Sequence, residues 1–409
     1  MNVIGIVAEY NPFHSGHAYQ IAQSRLILDK NTPVIAVMSG NWVQQANCAI
    51  YDKWTRARLA ILGGTDLVLE LPTVWATASA ERFARGAVSL LHATGVVTHL
   101  SFGSESGHLD GLHEVASCLD TPEYSAALRQ ALERGISFPA ARQAAVEQLT
   151  GCHANLLSHA NNNLGIEYLR SLTALGSSIQ PMTVLRQGAG HNTLTGHQQP
   201  LHVSATQIRT WLTQGNAACA QSYLLPDVLS HLPHEFPDLF HAQRAILSGF
   251  RKMDAQDWSL LPDSGVSEGL PARLAQTGHK ANTLEEFYTL CSTKRYTNAR
   301  IRRLVLWSYL GLSNSDFIDS PLYLRVLASN SRGLTLLKQM KKHASLPILT
   351  KPAHAKNLSS DAKAAFELES RCTDLYDLCY PTPPSPGREW TTNPLILVEA
   401  PGRCHHVSL

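Results

Sequence analysis

The chain has 409 residues, of which 44% are hydrophobic and 16% charged, and a formal net charge of +2. That composition excludes a disordered chain and gives two domains comfortable room. With a net charge so near zero there is no global polyanion signal, so any nucleic-acid contact must come from local clusters of Lys and Arg. Eight cysteines without a Cys-x-x-Cys pair give neither zinc spacing nor a disulfide framework, and no metal site is expected. Met1 runs almost directly into an apolar stretch and no run is long enough to span a bilayer, so a cytoplasmic protein with no membrane partner is expected.

The first element is a β-branched run, Asn2-Val3-Ile4-Gly5-Ile6-Val7-Ala8, which reads as a buried parallel strand. A turn holding Pro12 and Gly16 follows, and His17-Ala18-Tyr19-Gln20 opens an amphipathic helix. A strand feeding a helix N-terminus offers N–H groups and a dipole that favour an anion. His14 and His17, three apart, share one helix face, and each can donate to a phosphate oxygen. Such an arrangement suits a nucleoside triphosphate attacked at its α-phosphorus, where charge grows on oxygen. In this turn the sequence resembles the nucleotidylyltransferase superfamily, with its His-x-Gly-His signature after the first strand of a Rossmann-like sheet.

Strands then read over Pro33–Met38, Asp66–Leu71 and Val96–Phe102, alternating with helices over Lys53–Leu62 and Ser79–Ala93. The alternation predicts an α/β Rossmann-like parallel sheet with right-handed crossovers, the loops at Glu9, Ser39, Pro72 and Gly103 sharing one crevice at its carboxyl edge. Helices are expected over Pro139–Leu149 and Asn162–Leu175, a strand over Ser178–Leu185, and a loop from Gly188 to Leu201. Ser204 reads as the N-cap of another helix, with Thr206 and Arg209 beside it as a second phosphate-suited group. A Pro-bearing segment from Pro226 to Pro237 suggests a boundary, dividing the chain into 1–230, nucleotidylyltransferase-like by that resemblance, and 231–409, mainly helical. From Leu239 through Lys342 the pattern is mostly helical.

Two basic runs admit RNA contact. Lys53 and Arg56 sit in Lys53-Trp54-Thr55-Arg56-Ala57-Arg58, either a solvated helix start or a phosphate-contacting rim. Lys294, Arg295, Arg300, Arg302 and Arg303 surround Tyr296, with no acidic residue in the run, and read as phosphate contacts with one ring to stack a base. Cys404-His405-His406, without spaced partners, does not make a metal site.

Read together, the blocks from Ala8 to His17, Met38-Ser39-Gly40-Asn41, Asp52 to Ala57, Glu70-Leu71-Pro72, Phe83 to Val88, Phe102-Gly103-Ser104-Glu105, Asn161 to Tyr168 and Thr293 to Thr297 resemble the tRNA(Met) cytidine acetate ligase family. The resemblance implies ATP-dependent acetylation of the wobble cytidine of elongator tRNA(Met) through acetyl-adenylate. ATP, a substrate with Mg²⁺, and acetate would be the small-molecule partners, and no obligate protein partner is implied. The ATP contacts it implies are Val7, Ala8, Glu9, Tyr10, Asn11, Pro12, Phe13, His14, Ser15, Gly16, His17, Ala18, Tyr19 and Gln20, with Gly103, Asn161, Asn162 and Arg186. Ser204, Thr206 and Arg209 would meet the distal phosphates. One departure is the loop Gln45-Ala46-Asn47-Cys48, where the family usually carries an arginine and a carboxylate. The alternatives are a small-molecule adenylyltransferase and a catalytically inactive tRNA-binding protein.

Overall fold

The computed structural model describes residues 1–187, 203–233, 235–293 and 296–397. The loop expected from Gly188 to Leu201, Lys294, Arg295 and the Cys404–His406 tail lie outside them. Five parallel strands form the centre: β1 (Ile4–Ala8), β2 (Val34–Ser39), β3 (Leu67–Leu71), β4 (His99–Ser104) and β5 (Gln180–Leu185). Their spatial order is β3-β2-β1-β4-β5, so β1, with its following turn, lies in the middle of the sheet.

Side-chain alternation gives the central strands β1, β2 and β3 two largely buried faces, as a sheet covered on both sides requires. Ile35, Val37, Leu67 and Leu69 face helices α3 (Ala80–Ala93) and α4 (Ala160–Ala174) through Phe83, Leu90, Ile166 and Leu169. Ile4, Ile6, Val34, Ala36 and Met38 face α1 (Ser15–Leu28), α2 (Lys53–Leu62) and α5 (Ala205–Thr213) through Ile21, Leu59 and Ile208.

Beyond residue 230 the chain is helical as far as α6 (Asn298–Leu310), packing Phe250, Trp258, Phe287 and Trp307 into the core on the α3 side. The helical reading through Lys342 is corrected at β6 (Leu324–Asn330), a buried strand antiparallel to β3. Two short strands, β7 (Ile348–Leu349) and β8 (Leu395–Leu397), pair with β6. The reason is local: Leu-Arg-Val-Leu-Ala is too short an apolar run for its period to separate strand from helix. The C-terminal half therefore returns strands to the N-terminal sheet. Among the described residues no helix is long and apolar enough to cross a membrane.

Candidate functional site

Where β1 ends, the chain turns through Tyr10, in the left-handed region at φ 45°, and enters α1 with His14 as N-cap. A non-glycine residue held there is strained, a condition that clusters at functional turns. His14 Nδ1 accepts from the Gly16 N–H at 3.0 Å, and His17 Nδ1 accepts from the His14 N–H at 3.3 Å. A Cβ at residue 16 would stand 2.8 Å from His14 Cε1, so any larger residue there would push that ring out of place. The two rings face each other with centroids 3.9 Å apart. An Nδ1 that accepts carries no proton, so the neutral ring keeps its hydrogen on Nε2, at the opposite edge. Burial, then the neighbouring His14 and Arg186, hold the His17 pKa well below the usual histidine value. His17 is thus a neutral donor across the physiological range.

The expected N–H cradle is corrected. The Ser15 N–H donates to the Tyr223 carbonyl at 2.8 Å, Gly16 to His14, and His17 and Ala18 to the His14 carbonyl. The imidazoles face the cavity in place of the backbone.

Both histidines line a cavity of about 220 Å³ together with Gly16, Tyr19 and Gln20. Its far wall is Gly103 and Glu105 at the end of β4, Asn161 at the start of α4, Val184 to Gln187 after β5, and Val203 and Ser204 before α5. Arg186 lies over Gly103 and donates to Asn161 Oδ1 at 3.3 Å. Asn161 Nδ2 donates to Glu105 Oε1 at 2.6 Å. One guanidinium and two neutral imidazoles thus converge on one space beyond the carboxyl ends of the strands, where α/β sheets bind ligands.

Of the expected ATP contacts, His14, Gly16, His17, Tyr19, Gln20, Gly103, Asn161, Arg186 and Ser204 meet at this cavity. Val7, Ala8, Glu9, Tyr10, Asn11, Pro12, Phe13, Ser15, Ala18, Asn162, Thr206 and Arg209 are not among its lining residues. Several of these build the turn. Tyr10 and Phe13 are buried against the His17 ring, at centroid distances of 4.9 and 5.5 Å. Asn11 Oδ1 accepts from the Ile50 N–H at 2.7 Å, and its carbonyl takes Arg209 at 2.8 Å. Arg209 also donates to Thr206 Oγ1 at 3.0 Å. That guanidinium ties α5 to the turn, while Ser204 caps α5 by accepting from Gln207. Asn162 is fully buried and accepts from the Glu105 N–H at 2.9 Å. Burial pushes the Glu9 carboxyl up, and its Oε1 accepts from the Gln44 N–H.

Lys53 and Arg56 are not surface groups placed to meet RNA: both are 0% exposed. Lys53 Nζ lies 2.6 Å from Glu70 and 2.5 Å from Glu389. Arg56 donates to the carbonyls of Glu9, Ser39, Gly40 and Tyr51, bracing the turn from beneath. The loops at Ser39 and Pro72 do not share the crevice. Ser39 and Gly40 are buried, and Pro72 lines a separate cavity with Trp75 and Tyr323. Of the second basic run, Arg300 pairs with Glu268 at 2.8 Å and with Asp263, and Arg303 pairs with Asp263 at 2.8 Å. Tyr296 is buried, its hydroxyl donating to the Glu268 carbonyl, so it does not stack a base. Arg302 is exposed and lies over the Tyr288 ring. Sequence reasoning missed Glu105, Val184, Leu185, Gln187 and Val203 as cavity lining.

Residues 1–389 match the family described as HIGH Nucleotidyl Transferase. The chain is similar to the tRNA(Met) cytidine acetate ligase of Acetivibrio thermocellus, 37% identical over 97% of this chain and 100% of that one. To the protein of the same name from Caldanaerobacter subterraneus it is 38% identical over 93% of this chain and 96% of that one. The crystal structure of Thermotoga maritima TmcAL bound with alpha-thio ATP superposes with a TM-score of 0.88 at 32% identity, covering 98% of this chain and 100% of that one. Its apo form gives 0.89 at the same identity and coverage.

Proposed function

The chain belongs to the HIGH nucleotidyl transferase family and, within it, to the tRNA(Met) cytidine acetate ligases; from that membership we propose that it binds ATP at the His14–His17 turn and acetylates elongator tRNA(Met). An acetate oxygen attacks the α-phosphorus, the bond to the β-phosphate oxygen breaks, and pyrophosphate leaves. The wobble cytidine's exocyclic amine then attacks the acetyl carbonyl, losing a proton, and AMP departs to leave N4-acetylcytidine. The observation that carries this reading is the pair of imidazoles fixed by Nδ1 and facing Arg186 across one cavity.

Little acid–base work is asked of the protein in the first step, because acetate is already a nucleophile and pyrophosphate leaves readily. Position and charge stabilisation dominate. Neutral Nε2–H groups donate to α-phosphate oxygens as negative charge builds there. Arg186 supplies the fixed positive charge. A divalent cation would ride on the phosphates, but the one carboxylate lining the cavity among the described residues, Glu105, already accepts N–H bonds at both oxygens. The described residues therefore offer it no dedicated ligand set. RNA contact is assigned to the helical C-terminal part, with Arg302 an exposed cation among the described residues of its basic run.

Incubation with ATP, labelled acetate and total tRNA tests the reading. Label in tRNA(Met), with pyrophosphate released only when acetate is present, is expected. Pyrophosphate exchange without acetate would favour a small-molecule adenylyltransferase, and tRNA binding without ATP turnover an inactive binder.

A further inference from the structure

At the end of β4, Glu105 faces the first turn of α4. Its Oε2 accepts from the Asn162 N–H at 2.9 Å and its Oε1 from Asn161 Nδ2 at 2.6 Å. Asn162 returns the contact, its Oδ1 accepting from the Glu105 and Ser106 N–H groups at 2.9 and 3.3 Å. Strand end and helix start are thereby locked reciprocally, and the side chain left facing the cavity is Asn161.

A primary amide is nearly symmetric in shape, so its neighbours decide which end points where. With the NH₂ end held by a carboxylate, a charge-assisted bond, Oδ1 must face the other way. There it accepts from Arg186 at 3.3 Å. The reverse orientation would set NH₂ against a guanidinium and oxygen against a carboxylate, repulsive at both ends. Arg186 itself is exposed at the rim, and among the described residues Asn161 is the side chain it hydrogen-bonds.

Resting on the ATP-binding reading above, we infer that Glu105 is a positioning residue for the nucleotide: through Asn161 it sets the direction of the Arg186 guanidinium across the cavity from His14 and His17. A carboxylate beside a polyanion site would be unfavourable as a direct phosphate ligand, and here both of its oxygens already accept N–H groups. Its effect travels along the chain carboxylate, amide, guanidinium.

The experiment is a double-mutant cycle on the full chain, reading the ATP KM in acetate-dependent pyrophosphate exchange. Glu105→Gln and Asn161→Ala are each expected to raise that KM about tenfold with little change in kcat. Because both break one chain, the double variant is expected to be no worse than the poorer single one. Multiplying effects, or a lowered Tm with the KM unmoved, would reduce Glu105 to a helix cap and overturn the inference. If Glu105→Gln does not fold, Asn161→Leu cuts the middle link while keeping the side chain's bulk. An unchanged ATP KM in that variant overturns the inference equally. Should wild-type protein show no acetate-dependent exchange, it is the ATP reading that fails, a result distinct from either.

Discussion

The His14 and His17 imidazoles stand 3.9 Å apart, and each is held by a backbone N–H at its Nδ1, so both present the same tautomer. A ring anchored this way cannot flip without losing its bond. The anchoring depends on what lies beneath the turn, and that can be tested away from the rings.

Phe13 is fully buried and packs over Gly63, the residue closing α2, where any Cβ would collide with its ring. Gly63→Ala is therefore expected to displace Phe13, on which the His17 ring rests. A loss of about 1–3 kcal/mol in denaturant unfolding, together with a raised ATP KM, is the expected pair of effects. Wild-type values for both would show that the turn is not propped from α2.

Lys53 is a cation of a buried cluster, not a surface charge. Lys53→Met strands the carboxylates of Glu70 and Glu389 in the interior, and breaking a buried pair typically costs about 3–5 kcal/mol. Urea unfolding should show that loss while tRNA affinity of the folded fraction stays put. A stable variant with weakened tRNA binding would restore the surface reading.

Glu369, in the same cluster, has its carboxyl pKa pushed up to about 8 by burial and then by the neighbouring Glu70. The folded protein keeps that proton where the unfolded chain, near the ordinary value of 4.5, has lost it. Between those two values the folded state binds more protons, so this group's stabilisation is full below about 4.5 and falls as pH rises toward 8. Glu369→Gln can keep the bonds to the Thr73 N–H and hydroxyl without the titration. Unfolding at pH 6, 7 and 8 should show the variant gaining on wild type by at least about 1 kcal/mol, one unit of pKa being worth about 1.4 kcal/mol. Parallel profiles would contradict this.

In the basic run, Arg302→Ala should weaken tRNA binding and lower the salt dependence by about one phosphate contact, with Tm unchanged. Arg300→Ala should instead lower Tm, because its partners are Glu268 and Asp263. Filter binding across a salt series separates the two. Equal loss of affinity in both would put Arg300 on the RNA as well.

The strand, turn and helix that make the cavity were legible because their signals are local: a β-branched run, Gly16, and two histidines three apart. The parallel core of the sheet followed from alternation. What escaped was set by distant partners. Lys53 and Arg56 look like surface charges until Glu389, 336 positions from Lys53, and the carbonyls of the turn are in place. Arg300 and Arg303 are compensated by Asp263 and Glu268, which lie outside the basic run in sequence. β6 hid because a buried Arg325 interrupts its short apolar stretch, and that charge lies near Glu389 only in the folded chain. Glu105 carries no local signal, because its bonds to Asn161 and Asn162 cross 56 and 57 residues.

Pyrophosphate exchange into ATP, measured with and without acetate on wild type and His17→Ala, tests the central claim most directly. The account predicts exchange that requires acetate in wild type and falls by about 10²–10³-fold in the variant, the usual cost of removing one preorganised donor, while the variant stays folded. A folded His17→Ala protein exchanging at the wild-type rate would contradict it.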